Sequence, residues 1–389
     1  MPNYRSAIDS KLPQATTSIF AVMSRLAAEE GAINLSQGYP DFPSSPKLID
    51  LVCKAMKEGY NQYAPMPGIA ELREVISDKI HNLYQTRYEP ESEITVTAGA
   101  TQAIFTAISA IVKAGDEVIL FAPAYDCYAP TVRANGGRIV ELELAPPDYR
   151  VSWDAVKKAI SPRTRMILIN TPHNPTGTVW AREDMEQLED LVSGTEIIIL
   201  SDEVYEHLVY DGRQHFSAAA FPGLADRSFI VASFGKTFHN TGWKMGYIVG
   251  PRELMNEFRK IHQFNVFSVN HPMQRALAIY LKDPKNYLYL PDFFQRKRDL
   301  FLRSIEGSGF DFRPSSGTYF QLLGYSRISS RQDVELARLL TVQNKVASIP
   351  VSVFYESGTD HKVLRFCFAK SDETILKGAE ILKRLQPIQ

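Results

Sequence analysis

Cysteine is scarce in this sequence of 389 residues, which contains three of them. Cys53, Cys127 and Cys367 are an odd number spread over a long chain, which fits reduced thiols better than a disulfide framework. Long apolar runs are also missing. No segment approaches the ~18 apolar residues of a membrane span, and the opening MPNYRSAIDSKLPQ lacks the apolar core of a signal peptide. These absences predict a soluble, cytoplasmic protein with no membrane partner.

The sequence also lacks an excess of charge of either sign. Lysine and arginine together number 43, aspartate and glutamate 44, and the formal net charge is −1. We therefore expect no nucleic-acid partner. The 22 glycines and 23 prolines are ordinary globular usage, which argues against a fibrous or disordered chain. At ~150 residues per domain, the length predicts two or three domains.

Seven short apolar runs alternate with segments of helical spacing. Such runs are typical of strands that are buried on both faces, and the alternation favours a largely parallel sheet with helices on both sides. We therefore predict an α/β fold with a mostly parallel seven-stranded sheet between helices. The predicted strands are residues 94–98, 117–122, 138–144, 165–170, 196–201, 229–234 and 246–250.

The pattern differs on either side of this region. Residues 69–84 place apolar side chains on one helical face ahead of the first strand, after a Pro-Gly turn. Beyond residue 284 a charged helix near 292–306 is followed by strand-like runs at 317–323 and 363–368 and by a helix from about residue 372. We predict a smaller α+β domain there, completed by the first residues of the chain. The predicted division is 1–45 (arm and part of the small domain), 46–284 (large domain) and 285–389 (small domain).

Candidate ligand-binding residues follow four of the predicted strands, at the edge where open parallel sheets bind ligands. They are Gly99, Ala100 and Thr101 at a helix start, Asn174 in TPHNPTG, Asp202, and Lys236 after Ser233. Taken singly, Gly99 is more often a helix cap, Asn174 a turn former and Lys236 a surface lysine. Asp202 is more informative, because a carboxylate at the end of a buried strand is costly unless a positive group faces it.

Together these groups suggest a single aromatic, phosphorylated cofactor with a carbonyl group. Pyridoxal phosphate requires a lysine for its aldehyde, a carboxylate for its ring nitrogen and donors for its ring hydroxyl. The amides and dipole of a helix start suit its phosphate. A dinucleotide site is the main competitor, but residues 99–105 lack the GxGxxG spacing and no GK[ST] P-loop occurs.

Six motifs, spread in order over nearly the whole chain, carry a family resemblance. They are NQYAPMPGIAELR (61–73), TAGATQAIF (97–105), NTPHNPTG (170–177), SDEVYEHL (201–208), SFGKTFHNTGWKMGY (233–247) and VLRFCFAK (363–370). The chain resembles the class I/II aminotransferases, which are fold type I pyridoxal-phosphate enzymes. The nearest similarity is to the bacterial methionine aminotransferases and the kynurenine/glutamine transaminases, through LSQGYPDF (35–42), GWK and IPVSVF (349–354). Lys244 stands where most of the wider family has arginine. Val351 stands where many members have glycine.

The resemblance implies a role for each matched residue toward the cofactor. Lys236 would hold its aldehyde covalently and Asp202 would pair with its ring nitrogen, while Tyr205 and Asn174 would bond the ring hydroxyl and Tyr125 would stack on the ring. The phosphate would be held by Gly99, Ala100, Thr101, Ser233 and Lys244. Tyr63 would reach the phosphate of a neighbouring subunit, which predicts a homodimer with shared active sites.

For the substrate, the resemblance implies that Arg365 binds the α-carboxylate. The strand alternation puts Arg365 on a weakly apolar face, where it would need a partner. Further substrate-binding residues implied by the resemblance are Asn174, Gly38, Tyr39, Phe20 and Tyr63. No metal ligand is predicted.

The implied activity is transfer of an amino group from an amino acid to a 2-oxo acid, with Lys236 moving a proton in its neutral form. No second arginine stands in a family motif to bind a distal carboxylate. A neutral donor such as methionine, an aromatic amino acid or kynurenine/glutamine is therefore favoured over an aspartate-type enzyme. A cystathionine or cysteine-S-conjugate β-lyase on the same fold stays open. An aminotransferase-like module of a transcription regulator is disfavoured, because SQGYPDF stands where a helix-turn-helix would be needed.

Overall fold

The structure, a computed structural model, describes residues 8–13 and 15–387. The α-helices, in chain order, are α1 (Ile19–Glu29), α2 (Pro46–Lys57), α3 (Ala70–Tyr84), α4 (Ala100–Ile111), α5 (Tyr128–Ala134), α6 (Trp153–Ala159), α7 (Arg182–Val192), α8 (Pro222–Ala225), α9 (Phe234–Thr237), α10 (Arg252–Asn265), α11 (His271–Tyr280), α12 (Lys285–Leu288), α13 (Leu290–Ser304), α14 (Asp333–Gln343) and α15 (Asp372–Lys383). The strands are β1 (Ile33–Asn34), β2 (Ile94–Thr97), β3 (Glu117–Ala122), β4 (Arg138–Glu143), β5 (Thr164–Asn170), β6 (Ile198–Asp202), β7 (Ser228–Ser233), β8 (Gly246–Val249), β9 (Phe320–Gly324), β10 (Val346–Ala347), β11 (Ile349–Pro350) and β12 (Val363–Cys367).

The central sheet contains the seven predicted strands in the order β2-β8-β7-β6-β5-β3-β4. Strand β8 runs antiparallel to both of its neighbours, and the other pairs are parallel. The predicted α/β class and mostly parallel sheet are confirmed.

Both faces of this sheet are buried except at the edge strand β4, which is partly exposed, and this burial explains the continuous apolar runs. In β5, Ile167 and Ile169 belong to the larger core cluster, which also contains Leu188 of α7. The intervening Leu168 belongs to a second cluster, with Ile104 of α4 and Phe258 of α10. Because side chains alternate along a strand, one apolar run supplies two cores on opposite sides of the sheet.

The remaining strands join distant parts of the chain in two small sheets. Strand β1 pairs in parallel with β10, and β11, β12 and β9 form an antiparallel sheet. Residues from both chain ends thus lie together. The division of the chain at residues 45 and 284 stays a prediction.

Two local features differ from expectation. Helix α2 was not predicted from the sequence. The run predicted at 317–323 begins as a strand at Phe320, since Thr318 adopts a left-handed φ of 62°, which interrupts extended backbone. Within residues 8–13 and 15–387, no helix combines the length and apolar character needed to cross a bilayer.

Candidate active site

Lys236 lies just beyond the carboxyl end of β7, in the single turn α9. Ser233 caps this turn, and its Oγ accepts a hydrogen bond from the Lys236 backbone N–H at 3.4 Å. The Lys236 Nζ donates to the Gly38 carbonyl at 3.1 Å and lies 5.7 Å from the centre of the Tyr205 ring. Burial lowers the pKa of Lys236 to about 8. A buried amine of this kind is easily deprotonated, and it can then act as a nucleophile or a base.

Asp202 ends strand β6 and is 4% exposed. The Tyr128 hydroxyl donates to its Oδ2 at 2.5 Å, and the Val204 N–H donates to its Oδ1 at 3.3 Å. Burial raises the pKa of Asp202 to about 6, although these hydrogen bonds and the charge of Lys236 act against the rise. A positive group brought against this carboxylate would therefore be bound favourably.

Two asparagines connect the ends of β5 and β6. Asn170 donates its side-chain Nδ2 to the Asp202 carbonyl at 2.8 Å, and its Oδ1 accepts the Asn174 N–H at 2.9 Å. These bonds fix the turn that carries Asn174. The side-chain oxygen of Asn174 accepts a hydrogen bond from Arg365 NH1 at 2.8 Å.

Arg365 is a buried arginine of β12, 1% exposed, and its partners include no carboxylate among the described residues. NH2 donates to the Ser36 carbonyl at 2.9 Å, and Nε is buried without a hydrogen-bond partner in residues 8–13 and 15–387. Its Cζ lies 3.9 Å from the centre of the Phe320 ring. Burial lowers the pKa of Arg365 to about 10, so it stays charged at neutral pH. A buried guanidinium with a free N–H suits a carboxylate ligand.

The start of α4 forms the fourth part of the site. Gly99 precedes the helix with φ 79°, and a Cβ placed on it would lie 3.6 Å from Lys244 Nζ. A Cβ on Gly246 would lie 3.1 Å from the Ala100 nitrogen and 2.7 Å from the Ala232 carbonyl oxygen, so only glycine lets β8 approach the helix start this closely. Backbone N–H groups, the helix dipole and an ammonium group converge there, as a phosphate requires.

These groups surround a cavity of ≈ 300 Å³. The predicted residues that line it are Phe20, Gly38, Gly99, Ala100, Thr101, Tyr125, Asn174, Asp202, Tyr205, Ser233, Lys236, Lys244 and Arg365. Burial raises the pKa of both Tyr125 and Tyr205, so both are neutral phenols.

Two predicted residues lie outside this lining. Tyr63 is 81% exposed, and its ring contacts that of Phe267 at 5.3 Å between centroids. Tyr39 is 45% exposed, and its carbonyl accepts a hydrogen bond from Lys370 Nζ at 2.8 Å. The structure therefore does not bring either side chain into the cavity of its own chain.

Nine lining residues were not predicted from the sequence: Gln37, Ile104, Tyr128, Asn170, Val204, Gly235, Thr241, Met245 and Phe320. Tyr128 had a signal, because it follows the predicted ring-stacking residue Tyr125 by three positions. Asn170 is the last residue of a predicted strand. Phe320 reads as an ordinary core residue of a strand and offered no signal.

Sheet and cavity together define an α/β enzyme built around a partly buried lysine. The family model for aminotransferase class I and II matches residues 30–382. The chain is 47% identical over 377 residues to the methionine aminotransferase of Escherichia coli strain K12, covering 97% of this chain and 98% of the relative. It is 34% identical to human kynurenine–oxoglutarate transaminase 3, with 94% and 88% coverage.

A solved structure gives the same result. YbdL from Escherichia coli, described with a methionine aminotransferase function, superposes with a TM-score of 0.96 at 46% identity, over 98% of this chain and all of the other. The chain belongs to the class I and II aminotransferase family. It is a transaminase, and the predicted family is confirmed.

Proposed function

We propose that this transaminase uses pyridoxal 5'-phosphate to move the amino group of a neutral amino acid, with methionine as the leading donor, to a 2-oxo acid. Aromatic amino acids and kynurenine/glutamine are further candidate donors. The observation that carries the proposal is a partly buried lysine without a carboxylate partner among the described residues, in the same cavity as a buried aspartate and a helix start. The donor class is that of the relatives, a methionine aminotransferase and a kynurenine–oxoglutarate transaminase.

The residues present fit this cofactor. Lys236 offers an amine, Asp202 a carboxylate that attracts a positive group, and residues 99–101 with Lys244 a phosphate-binding helix start. When bound, pyridoxal phosphate supplies an electron sink for charge that develops at the substrate α-carbon. Asp202 would hold the ring nitrogen in its protonated form, and Tyr125 would cover one face of the ring. Asn174 and Tyr205 would bond the ring hydroxyl, and Ser233 the phosphate.

Lys236 would also carry the proton between substrate and cofactor carbons. It must be neutral to accept that proton, and burial favours the neutral form. The Gly38 carbonyl, which accepts from Nζ at 3.1 Å, gives the amine a fixed position on one side of the cavity. The Lys236 amine can thus move by rotation of its own side chain, and the hydrogen bond gives it a defined starting position.

Arg365 would bind the substrate α-carboxylate. It is the single arginine among the described lining residues, so a second carboxylate on the substrate would find no fixed guanidinium in this chain. Phe20 and Phe320 flank the Arg365 guanidinium, at 5.1 and 3.9 Å from ring centres. Aromatic walls favour a thioether or an aromatic side chain over a carboxylate.

Reduction of the holoenzyme with borohydride, followed by peptide mapping, tests the cofactor link. We expect the pyridoxyl label on Lys236. The Lys236→Ala variant should carry no label at any position. A label on Lys244 or Lys260 of the unmodified protein would contradict the assignment.

A panel of amino donors tests the substrate. Methionine should give a higher kcat/KM than aspartate with the same 2-oxo acid. Parallel measurement of pyruvate released from cystathionine addresses the β-lyase alternative. Pyruvate release faster than amino transfer, or a preference for aspartate, would replace the proposal with one of the two alternatives.

We further propose a homodimer in which Tyr63 completes the partner's phosphate site. This rests on the family resemblance and on two exposed aromatic rings in mutual contact, Tyr63 and the half-exposed Phe267. Mixing Lys236→Ala with Tyr63→Ala subunits should restore activity, because one site of the heterodimer is then intact. A mixture of Lys236→Ala and Asp202→Ala subunits is the matched control and should stay inactive. If exchanging subunits of the first mixture stay equally inactive, the shared site is wrong.

We also propose that the enzyme is cytoplasmic, which is supported by three cysteines without disulfides. Cell fractionation tests this.

A further inference from the structure

The shortest contact made by the Asp202 side chain is with a residue to which neither the resemblance nor the family assignment gave a role. Tyr128 is the first residue of α5, and it is 2% exposed. Its hydroxyl donates to Asp202 Oδ2 at 2.5 Å, and its ring lines the cavity. Among the described residues, this is the only side chain that donates a hydrogen bond to the Asp202 carboxylate.

The two Asp202 oxygens are therefore not equivalent. Oδ2 holds the short bond from Tyr128, whereas Oδ1 receives one N–H, from Val204, at 3.3 Å. A carboxylate whose one oxygen is fixed by a strong donor cannot rotate freely, and its second oxygen stays available for a further donor. The hydrogen bond donated by the Tyr128 hydroxyl also favours the ionised carboxylate of Asp202 over the neutral acid.

Tyr128 is itself held by its neighbours. Its ring meets that of Tyr125 edge to face, with centroids 5.7 Å apart. Tyr125 is the residue proposed to cover the cofactor ring, so a single turn of chain carries both the ring contact and the donor to Asp202.

We propose that Tyr128 is a positioning residue that orients Asp202 and keeps it ionised, so that Oδ1 is presented to the ring nitrogen of bound pyridoxal phosphate. This inference rests on the proposed function, because it takes Asp202 as the partner of that nitrogen. Tyr128 acts on the cofactor through Asp202.

Equilibrium binding to the cofactor-free protein tests the inference without recourse to activity. Two ligands are compared: pyridoxal phosphate, and the analogue in which a CH group replaces the ring nitrogen. Both carry the aldehyde and the phosphate, so they differ only at the atom that Asp202 would face. Tyr128→Phe keeps the ring and its contact with Tyr125 but removes the donor.

We expect Tyr128→Phe to weaken binding of pyridoxal phosphate about 10- to 100-fold, the range for a hydrogen bond to a charged group, and to leave the analogue unchanged. In the Asp202→Asn background, Tyr128→Phe should have little further effect on pyridoxal phosphate. Tyr88→Phe is the matched control. Tyr88 is also buried, its hydroxyl has no hydrogen-bond partner among the described residues, and it does not line the cavity.

Three results would overturn the inference: no loss for pyridoxal phosphate, an equal loss for both ligands, or a full additional loss in the Asp202→Asn background. An equal loss would assign Tyr128 a packing role. If Asp202→Asn itself bound pyridoxal phosphate as tightly as the unmodified protein, the pairing of Asp202 with the ring nitrogen in the proposed function would fail instead, and the inference with it.

Discussion

Asp202 and Glu206 are two buried carboxylates four residues apart, and their surroundings differ sharply. Glu206 receives Lys79 Nζ at 2.6 Å and the Tyr84 hydroxyl at 2.7 Å. Burial alone would raise the pKa of Glu206, but Lys79, together with His207 and these hydrogen bonds, lowers it to about 2. Asp202 has no cation in hydrogen-bond contact among the described residues, and burial raises its pKa to about 6.

The same contrast holds for the buried cations. Lys79 is paired with Glu206, whereas Lys236 Nζ contacts the Gly38 carbonyl. Arg298 holds Asp211 through two bonds of 2.7 Å, whereas Arg365 contacts an amide oxygen and a carbonyl. Burying a charge without an opposite charge is costly. Removing one member of the Lys79–Glu206 pair should therefore destabilise the fold. Lys236, Asp202 and Arg365 have no ion pair in hydrogen-bond contact among the described residues, and all three line one cavity, where ligand charges would complete them.

The largest effect is expected for the two lysines. Lys236→Ala should lower the rate of amino transfer by at least about 10³-fold, because it removes both the nucleophile and the base. Lys79→Met should leave the activity of the folded fraction intact but reduce the free energy of unfolding by about 3–5 kcal/mol, since Glu206 loses its partner in the core. Steady-state kinetics and urea unfolding of both variants measure this. An unchanged free energy of unfolding in Lys79→Met would contradict the contrast between the paired Lys79 and the unpaired Lys236.

For the two carboxylates we expect the same contrast, with a loss of activity for Asp202 and a loss of stability for Glu206. Asp202→Asn is expected to cost about 10²- to 10³-fold in kcat, as for a lost preorganised charge, and not to destabilise the cofactor-free protein at pH 8. Glu206→Gln should lower the free energy of unfolding by about 3 kcal/mol. Retention of full turnover with methionine by Asp202→Asn would show that this carboxylate is not needed for the chemistry.

The arginines give a smaller effect. Arg365→Lys replaces a planar guanidinium, which can bind a carboxylate through two hydrogen bonds, by an ammonium group that is a point charge. The value of kcat/KM for the amino donor should therefore fall about 10- to 100-fold, mainly because KM rises. Arg298→Lys, the matched control, should change stability by about 1–2 kcal/mol and leave KM unchanged. Equal KM values for both variants would contradict a substrate role for Arg365.

The pH dependence of stability should show opposite signs for the two carboxylates. The pKa of Asp202 is raised from its ordinary 3.8 to about 6, so the folded protein binds the extra proton between these values. The stability of the unmodified, cofactor-free protein relative to Asp202→Asn should therefore fall by about 3 kcal/mol as the pH rises through this window, at about 1.4 kcal/mol per pKa unit.

For Glu206 the pKa is lowered from 4.5 to about 2, so the unfolded chain binds the proton in that window. Relative to Glu206→Gln, the unmodified protein should gain stability as the pH rises from 2 to 4.5. Urea midpoints at a series of pH values measure both trends. Parallel trends for the two variants would remove the distinction between paired and unpaired acids.

Much of the fold could be predicted from the sequence because the sheet is buried on both faces. Most of its strands then appear as apolar runs, and all seven were found within a few residues. The reversed direction of β8 could not be predicted, since a run such as GYIVG has the same appearance in either direction.

For the site, the residues directly after strands were predictable because parallel strands bring their carboxyl ends to one edge. Residues that enter the cavity from elsewhere were either predicted through the family resemblance alone, as Arg365 and Phe20 were, or missed. Phe320 stacks on Arg365 across two strands, and the Tyr128 hydroxyl reaches Asp202 from 74 positions away. Such contacts depend on tertiary packing, which cannot be inferred from the local spacing of residues.

The pairing of β2 with β8 has a consequence for how the protein is made. Thr97 lies opposite Gly246, about 150 residues further along the chain, and β8 is the only neighbour of β2 in the sheet within the described part of the chain. At roughly 5–20 residues per second, a ribosome would need roughly 8–30 s to synthesise the partner after β2 is complete. Gly99 and Lys244 flank these two strands. The corner proposed to bind the phosphate therefore cannot form on the nascent chain until β8 has been translated, and capture of the proposed cofactor would follow that step.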